Sequence, residues 1–184
     1  MHGRLFIISG CSGAGKDTII AEFLKRNPAV ERSVSVTTRM PREGEKNGID
    51  YFFASRDEFK KAADNDEFLE WAEFCGNFYG TKKSIVEAAL EKGRDLILKI
   101  EVKGAKQVKD KMAQAKTIFI MPPSIKVLEE RLRGRKTDSP DAVQKRLAEA
   151  EREIQEGKHF DYNIINDNLE TALEDLQLIF DKRV

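Results

Sequence analysis

The segment from Gly10 to Lys16, which reads Gly-Cys-Ser-Gly-Ala-Gly-Lys, has the residue types and spacing that hold phosphate groups. It matches the first seven positions of the motif G-x-x-x-x-G-K-[ST]. The glycines let backbone N–H groups converge on phosphate oxygens, and a helix that starts after them points its positive end there. The sequence therefore predicts a nucleoside triphosphate site made by Gly10, Cys11, Ser12, Gly13, Ala14, Gly15, Lys16, Asp17 and Thr18.

The eighth motif position departs from the pattern, because Asp17 stands where Ser or Thr usually supplies a ligand to Mg²⁺. A carboxylate either binds this ion or repels nearby phosphate, so both effects stay open for Asp17. Asp17 is the candidate metal ligand, and Thr18 serves the helix start. The loop alone indicates only a user of nucleoside triphosphates, since GTPases, ATPases and small-molecule kinases all carry it. The acceptor has to be inferred from other residues.

A second group of residues suits a phosphate monoester. Arg39 and Arg42 lie three positions apart on a predicted loop. The planar guanidinium of arginine binds phosphate oxygens in pairs. The hydroxyls of Tyr51 and Tyr79 would complete such a site, although each ring taken alone is equally consistent with a packed core.

Strands and helices alternate along most of the chain, which predicts a parallel sheet covered by helices. A buried strand precedes the glycine-rich loop, and the stretch from Ser33 to Thr38 is predicted as the second strand. Residues 36–81 read as a small β-rich insertion whose hairpin turns at Gly76-Asn77. The fold class is thus α/β, a P-loop NTPase-type parallel sheet flanked by helices, with a small β-rich lobe inserted.

Ser55 to Glu58 are predicted as a capping box and Tyr162–Ile165 as the last short strand. Ser124 and Ser139 are predicted helix caps, with Pro140 as the first helical residue after a flexible segment from Gly134 to Ser139.

Composition narrows the functional classes. The 184 residues include 32 Lys plus Arg and 32 Asp plus Glu, and this balance argues against a protein that binds nucleic acid through bulk positive charge. No apolar run approaches the roughly 18 residues that span a bilayer, and the N-terminus has no signal-peptide pattern. The two cysteines indicate a reducing compartment, so we expect a cytoplasmic protein with no membrane partner.

In combination, the loop at Gly10 and the segments Ser35–Gly44, Phe68–Glu73 and Gly76–Thr81 resemble the guanylate kinase family. The resemblance covers nearly the whole chain. It implies ATP-dependent phosphorylation of GMP to GDP, with Mg²⁺ as cofactor of ATP. It also implies one domain with a core (residues 1–35, 82–125 and 157–184), a GMP-binding lobe (36–81) and a mobile helical lid (about 126–156).

The resemblance also implies roles for individual residues. The guanine base would be read by Ser35, Glu70 and Thr81, with Gly80 beside them, and Glu101 would lie near the acceptor ribose and the metal. The GMP phosphate would be held by Arg39, Arg42, Tyr51 and Tyr79. Asn166 would lie by the adenine of ATP. Catalysis would depend on Lys16, Arg39, Arg131, Arg135 and Arg146, of which the last three belong to the lid.

The chemistry of Glu70 agrees with its implied role. Guanine presents two donors on one edge, N1–H and the 2-amino group, and a carboxylate accepts from both. Adenine has an acceptor at N1, so two acceptors would face each other with no proton between them. Leaving such buried groups without a hydrogen bond costs roughly 1–3 kcal/mol. The alternative is that Glu70 is a solvated acid on a strand, although its neighbours Phe68, Leu69 and Trp71 are apolar.

Two other functions fit parts of the sequence. A kinase of related build that phosphorylates ribose 1,5-bisphosphate would also have Asp after the loop lysine, whereas Glu70 and the run Tyr79-Gly80-Thr81 favour guanine. A non-catalytic guanylate-kinase-like binding module is the second alternative, but such modules usually have a degraded ATP loop. The sequence does not predict the oligomeric state.

Lys99 stands where the family usually has an acidic residue, and we hypothesise that it pairs with the equally unusual Asp17, so that the two substitutions offset one another. Steady-state kinetics of Lys99→Ala should then show a far larger loss of activity than those of Lys99→Ala combined with Asp17→Ser. Equal losses in the single and the double variant would contradict the pairing.

Overall fold

A computed structural model describes residues 2–134 and 140–182. These residues form nine strands and seven helices. In chain order they are β1 (Leu5–Gly10), α1 (Lys16–Arg26), β2 (Val30–Arg32), β3 (Val36–Thr37), β4 (Phe52–Phe53), α2 (Arg56–Asp64), β5 (Phe68–Phe74), β6 (Asn77–Lys82), α3 (Lys83–Glu91), β7 (Asp95–Lys99), α4 (Val102–Lys111), β8 (Lys116–Met121), α5 (Ile125–Gly134), α6 (Pro140–Gly157), β9 (Tyr162–Ile165) and α7 (Leu169–Asp181).

Five strands form a sheet in the order β2-β7-β1-β8-β9, with β2 parallel to β7 and β8 parallel to β9. The central strand β1 is buried along its whole length, as expected for a parallel strand with both faces covered. The predicted α/β class with a parallel sheet is confirmed. The chain divides into two compact units, one of Met1–Phe6 with Ala29–Ala115 and one of Ile7–Pro28 with Lys116–Val184.

The second unit places the glycine-rich loop between β1 and α1. Helix α1 packs on α7 through Phe23 and Phe180, whose ring centroids are 4.6 Å apart. An exposed ion pair between Arg26 and Glu170 joins the same two helices at 2.8 Å. Helix α5 begins after Ser124, whose hydroxyl accepts a hydrogen bond from the backbone N–H of Val127, as predicted from the sequence.

The first unit contains a second sheet in the order β4-β3-β6-β5, in which β6 runs antiparallel to both β3 and β5. Its core is built from Val36, Phe59 and Phe68, and Phe59 also stacks on Phe78 with centroids 5.4 Å apart. Helix α2 supplies Phe59 and begins at a capping box, in which Ser55 and Glu58 bond reciprocally.

The structure corrects two sequence predictions. Ser33–Thr38 is not one strand, because β2 ends at Arg32 in the five-stranded sheet and only Val36–Thr37 pairs in the other sheet. Val36 belongs to the four-stranded sheet, where it packs against Phe59 and Phe68. The hairpin turns at Cys75-Gly76 rather than Gly76-Asn77, since both turn residues have positive φ (49° and 75°) and Asn77 already pairs with Phe74.

Pro140 is the first residue of α6, as predicted. Of the flexible segment predicted from Gly134 to Ser139, Gly134 is instead the last residue of α5. The other residues of that segment, including the predicted Ser139 cap, lie outside the described residues. Within residues 2–134 and 140–182, none of the helices has the length and apolar character that a membrane-spanning helix requires.

Candidate nucleotide-binding sites

The loop begins at Gly10 and ends at Gly15, two positions where any other residue would clash with a neighbouring atom. A Cβ atom on Gly10 would lie 2.3 Å from the carbonyl oxygen of Ile120 in β8. Gly15 has φ of 93° and caps α1, and a Cβ there would lie 2.2 Å from Nδ2 of Asn166. The backbone of the loop therefore approaches β8 and Asn166 more closely than a side chain would allow.

Lys16 folds back over the loop. Its ammonium donates hydrogen bonds to the carbonyl oxygens of Gly10 and, at 3.1 Å, of Cys11. The loop closes on itself through a bond of 3.1 Å from the N–H of Ala14 to the carbonyl oxygen of Cys11. The predicted cation thus lies at the loop, in direct contact with its backbone.

Asn166 connects this loop to α5. Its Nδ2 donates to the carbonyl oxygen of Ala14 at 2.7 Å, and its own carbonyl oxygen accepts from Arg131 at 2.9 Å. The structure therefore brings Arg131 and Asn166 together with the loop. Arg146 is half-buried on α6, and Arg135 lies outside the described residues.

The remaining predicted residues of this loop differ in exposure. Cys11 is buried, and burial raises the pKa of its thiol to about 11, against an opposing effect of Lys16, so the thiol stays neutral. Ser12 and Gly13 are partly exposed, and Asp17 and Thr18 are exposed in the first turn of α1.

The side-chain oxygen atoms of Asp17 and Thr18 suit Mg²⁺, which is commonly bound by one or two carboxylates together with substrate phosphates. Residues 2–134 and 140–182 contain no cluster of three or more His, Cys, Asp or Glu that could hold a metal.

Arg39 lies at the centre of a separate group of residues in the first unit. Its guanidinium donates to both carboxylate oxygens of Glu45, at 2.7 and 3.0 Å. This hydrogen bonding raises the pKa of Arg39 and, from the other side, lowers the pKa of Glu45. Glu45 also accepts from the backbone N–H of Arg42 at 2.8 Å, which fixes the loop around the pair.

Two of the predicted tyrosines are beside Arg39. The guanidinium carbon lies 5.4 Å from the centroid of the Tyr51 ring, and the Tyr51 and Tyr79 rings meet edge to face at 6.1 Å. The structure therefore brings Arg39, Tyr51 and Tyr79 together. The side chain of Arg42 is exposed, and this residue joins the group through its backbone.

Glu45, Thr37 and Thr38 are functional residues that were not predicted from the sequence. Thr37 accepts from the N–H of Arg39 at 3.2 Å, and Thr38 accepts from the N–H of Phe78 at 2.9 Å, so both hydroxyls fix the start of the arginine loop. Glu45 reaches Arg39 only because the loop turns, with the N–H of Glu45 bonded to the carbonyl oxygen of Arg42 at 3.1 Å. A threonine near a turn commonly bonds nearby backbone, but nothing in the sequence around Glu45 identifies Arg39 as its partner.

Glu70 is buried on β5, with 4 % of its surface exposed, which excludes the alternative of a solvated acid. Its Oε1 accepts from the hydroxyl of Thr81 at 2.6 Å, as the two residues are paired across β5 and β6. Gly104 leaves room for the other oxygen, because a Cβ there would lie 2.5 Å from Oε2. Burial raises the pKa of Glu70 to about 7, and the hydrogen bonds from Thr81 oppose this effect.

The other residues predicted to contact the base or ribose lie on neighbouring elements. Glu101 is at the N-cap position of α4 without a side-chain hydrogen bond to the helix, and its charge raises the pKa of Glu70 further. Ser35 is half-buried, and its carbonyl oxygen accepts from Phe52 at 2.9 Å. Gly80 packs closely under the aromatic core, since a Cβ there would meet Phe68 at 3.0 Å.

The glycine-rich loop between a buried strand and a helix, with its lysine on the loop carbonyls, defines a P-loop nucleotide-binding protein. The family model described as guanylate kinase matches residues 2–183. The chain is 51% identical over 180 residues to the guanylate kinase of Carboxydothermus hydrogenoformans, covering 97% of this chain and 88% of that one. It is 47% identical over 178 residues to the guanylate kinase of Desulfitobacterium hafniense, with 97% and 89% covered.

Among solved structures, guanylate kinase from Anaplasma phagocytophilum matches with a TM-score of 0.79 at 34% identity, over 97% of this chain and 85% of that one. The chain belongs to the guanylate kinase family.

The raised pKa of Glu70 makes stability depend on pH. Between about pH 4.5 and 7 the folded protein keeps a proton on Glu70 that the unfolded chain releases, so the contribution of Glu70 to the free energy of unfolding falls as pH rises through this window, by about 3 kcal/mol. Glu70→Gln cannot ionise. In urea titrations, the free energy of unfolding of the variant relative to that of the wild type should therefore increase by this amount between pH 4.5 and 7.5.

Glu73→Gln is the matched control, since Glu73 is exposed on the same strand. Its free energy of unfolding should follow that of the wild type at every pH. Parallel pH profiles for the wild type and Glu70→Gln would contradict a carboxyl group with a raised pKa.

Proposed function

We propose that this chain transfers the γ-phosphoryl group of ATP to the phosphate of GMP, yielding ADP and GDP, with the site residues in the roles given below. Membership of the guanylate kinase family supports the reaction. The observation that carries the choice of acceptor is the buried pair of Glu70 and Thr81, because a buried carboxylate needs N–H or O–H donors and the Watson–Crick edge of guanine supplies two.

The phosphates of ATP bind at the loop from Gly10 to Gly15. Lys16, already at the carbonyl oxygens of Gly10 and Cys11, turns its ammonium toward the β- and γ-phosphates. Arg131 lies close enough to contact Asn166, so this arginine reaches the donor site and neutralises charge on the transferred group. Arg146 and Arg135 join it, and Asn166 borders the adenine.

The phosphate of GMP binds at the arginine loop. Glu45 orients the guanidinium of Arg39, and the ring of Tyr51 supports it from one face. The raised pKa of Arg39 keeps it fully charged at every working pH. The exposed side chain of Arg42 and the hydroxyls of Tyr51 and Tyr79 complete the contacts with the phosphate oxygens.

The guanine base binds at Glu70, Thr81 and Ser35, with Gly80 beside them, and Glu101 lies near the ribose. Guanine N1–H and the 2-amino group donate to the Glu70 carboxylate, which must be ionised to accept both. Since the pKa of Glu70 is about 7 before GMP binds, the affinity for GMP rises as the pH passes from 6 to 8.

The reaction itself needs no general base. An oxygen of the GMP phosphate, already anionic near pH 7, forms the bond to the γ-phosphorus while the bond to the bridging oxygen breaks and ADP leaves with its electrons. Positioning and neutralisation of charge by Lys16 and the arginines carry the catalysis. Mg²⁺, with Asp17 as its protein ligand, supplies further charge neutralisation when it is bound with ATP.

Each proposed lobe of the protein contains the residues for one part of the reaction. We assign residues 36–81, which include all of β3 to β5, to the GMP-binding lobe and about 126–156 to the lid, with residues 1–35, 82–125 and 157–184 as the core. The cytoplasm is the proposed compartment, supported by two cysteines that remain free thiols.

The two alternative functions are less well supported. Ribose 1,5-bisphosphate has no purine edge that would fill the base site around the buried Glu70 carboxylate, and the family match favours GMP. A non-catalytic binding module has no use for a loop in which the glycines and Lys16 retain their close contacts.

GMP-dependent production of ADP by the wild type and by Glu70→Ala tests this function. Loss of hydrogen bonds to a charged group should lower kcat/KM for GMP by about 10- to 100-fold in the variant, with the KM for ATP unchanged. Glu73→Ala, on the exposed part of the same strand, should match the wild type.

A substrate panel of GMP, dGMP, AMP and ribose 1,5-bisphosphate completes the test, and the two guanine nucleotides should be preferred. Full GMP turnover by Glu70→Ala would contradict the base-reading role. Preference of the wild type for the sugar phosphate would contradict the function as a whole.

A further inference from the structure

Glu70 lies on a strand that is poorly held by its own sheet. In the order β4-β3-β6-β5, strand β5 is at the edge and pairs within the sheet only with β6. The register also shifts between Phe68 and Glu70, which leaves Leu69 as an extra residue next to the carboxylate. Such a bulge re-aims the neighbouring side chain, but it also interrupts the ladder that would hold it.

Helix α4 supplies the hydrogen bonds that the sheet does not. The ammonium of Lys111 donates to the carbonyl oxygen of Leu69 at 2.6 Å. The amide of Gln107 accepts from the N–H of Trp71 at 3.3 Å and donates to its carbonyl oxygen at 3.0 Å, as a neighbouring strand would. Both backbone positions that flank Glu70 are therefore bonded to one helix.

The contacts from α4 share one face of the helix. Gly104, Gln107 and Lys111 are spaced by three and four residues, so they point in the same direction. Gly104 faces Oε2 of the carboxylate, and the two longer side chains reach the backbone on either side of it.

We propose that Gln107 and Lys111 are positioning residues for nucleotide specificity, which hold the backbone around Glu70 so that its carboxylate meets both donors of guanine. This inference rests on the proposed function, since it deepens the assignment of Glu70 as the group that recognises the base. A carboxylate displaced by a few tenths of an ångström keeps one of the two hydrogen bonds from guanine more easily than both. Because the second bond distinguishes guanine from other bases, misalignment first reduces discrimination between bases.

Lys111 has a second effect on the same group. The charged and polar groups that act on Glu70 are Thr81 from β6, Lys111 from the end of α4 and Glu101 from its N-cap. The charge of Lys111 lowers the pKa of Glu70, and the charge of Glu101 raises it. Lys111 therefore favours the ionised form that accepts from guanine, in addition to holding Leu69.

Inosine monophosphate makes discrimination measurable, because hypoxanthine keeps N1–H and lacks the 2-amino group. In Gln107→Met and Lys111→Met, the ratio of kcat/KM for GMP to that for inosine monophosphate should fall about fivefold, because a misaligned carboxylate loses part of the charge-assisted bond from the 2-amino group. KM for GMP should rise, while kcat and KM for ATP stay close to wild type. Lys106→Met is the matched control, as Lys106 is exposed on the same helix, and its ratio should not change.

Lys111→Arg retains the donor and the charge, so it should restore the ratio. KM for GMP should fall with rising pH as Glu70 ionises. The midpoint of this fall should move to higher pH in Lys111→Met, because the charge of Lys111 is lost, and should stay at its wild-type pH in Gln107→Met. Gln107→Glu keeps an acceptor for the N–H of Trp71 but places a second acceptor against its carbonyl oxygen. The ratio should therefore fall in this variant too, which preserves the test if a Met variant does not fold.

A ratio unchanged from wild type in folded Gln107→Met and Lys111→Met would overturn the inference, and so would an equal change in Lys106→Met. General destabilisation would lower turnover of both nucleotides alike. Absence of GMP turnover by the wild type in the same assay would instead contradict the proposed function.

Discussion

The site depends on a carboxylate placed in the protein interior. Glu70 accepts from Thr81 and is almost fully buried, and burial disfavours its charged form. The surrounding elements therefore have to supply room and hydrogen bonds at the same time. Gly104 provides the room, Thr81 provides the bond, and the charge of Lys111 opposes the cost of ionisation. A ligand that brings two more N–H donors stabilises the same charge.

The cations of the two proposed nucleotide-binding sites are held in a comparable way. Lys16 contacts carbonyl oxygens of its own loop, and Arg39 is bonded to both oxygens of Glu45. In each case the positive group is oriented by partners from a short stretch of chain, so its position follows from local loop geometry. Preorganised charge of this kind reduces the reorganisation needed when phosphate binds.

Local patterns in the sequence predicted much of the fold and part of the site. The loop at Gly10, the capping box at Ser55 and the strand Tyr162–Ile165 depend on neighbouring residues, and the structure has them as predicted. The contacts of Glu45 with Arg39 and of Gln107 and Lys111 with β5 were not predicted, because they join residues through turns and between separate elements. The prediction of one strand over Ser33–Thr38 was wrong for the same reason, since only Val36–Thr37 pairs and its partners β4 and β6 come from distant parts of the chain.

The central claim is that Glu70 is a buried acid whose charged form is completed by guanine. A ¹³C NMR titration of the Glu70 side-chain carboxyl, assigned with Glu70→Gln, measures this directly. Without nucleotide the pKa should lie at about 7, and saturating GMP should lower it clearly because N–H donors favour the carboxylate. A pKa close to the ordinary value of 4.5 that GMP does not change would contradict the account.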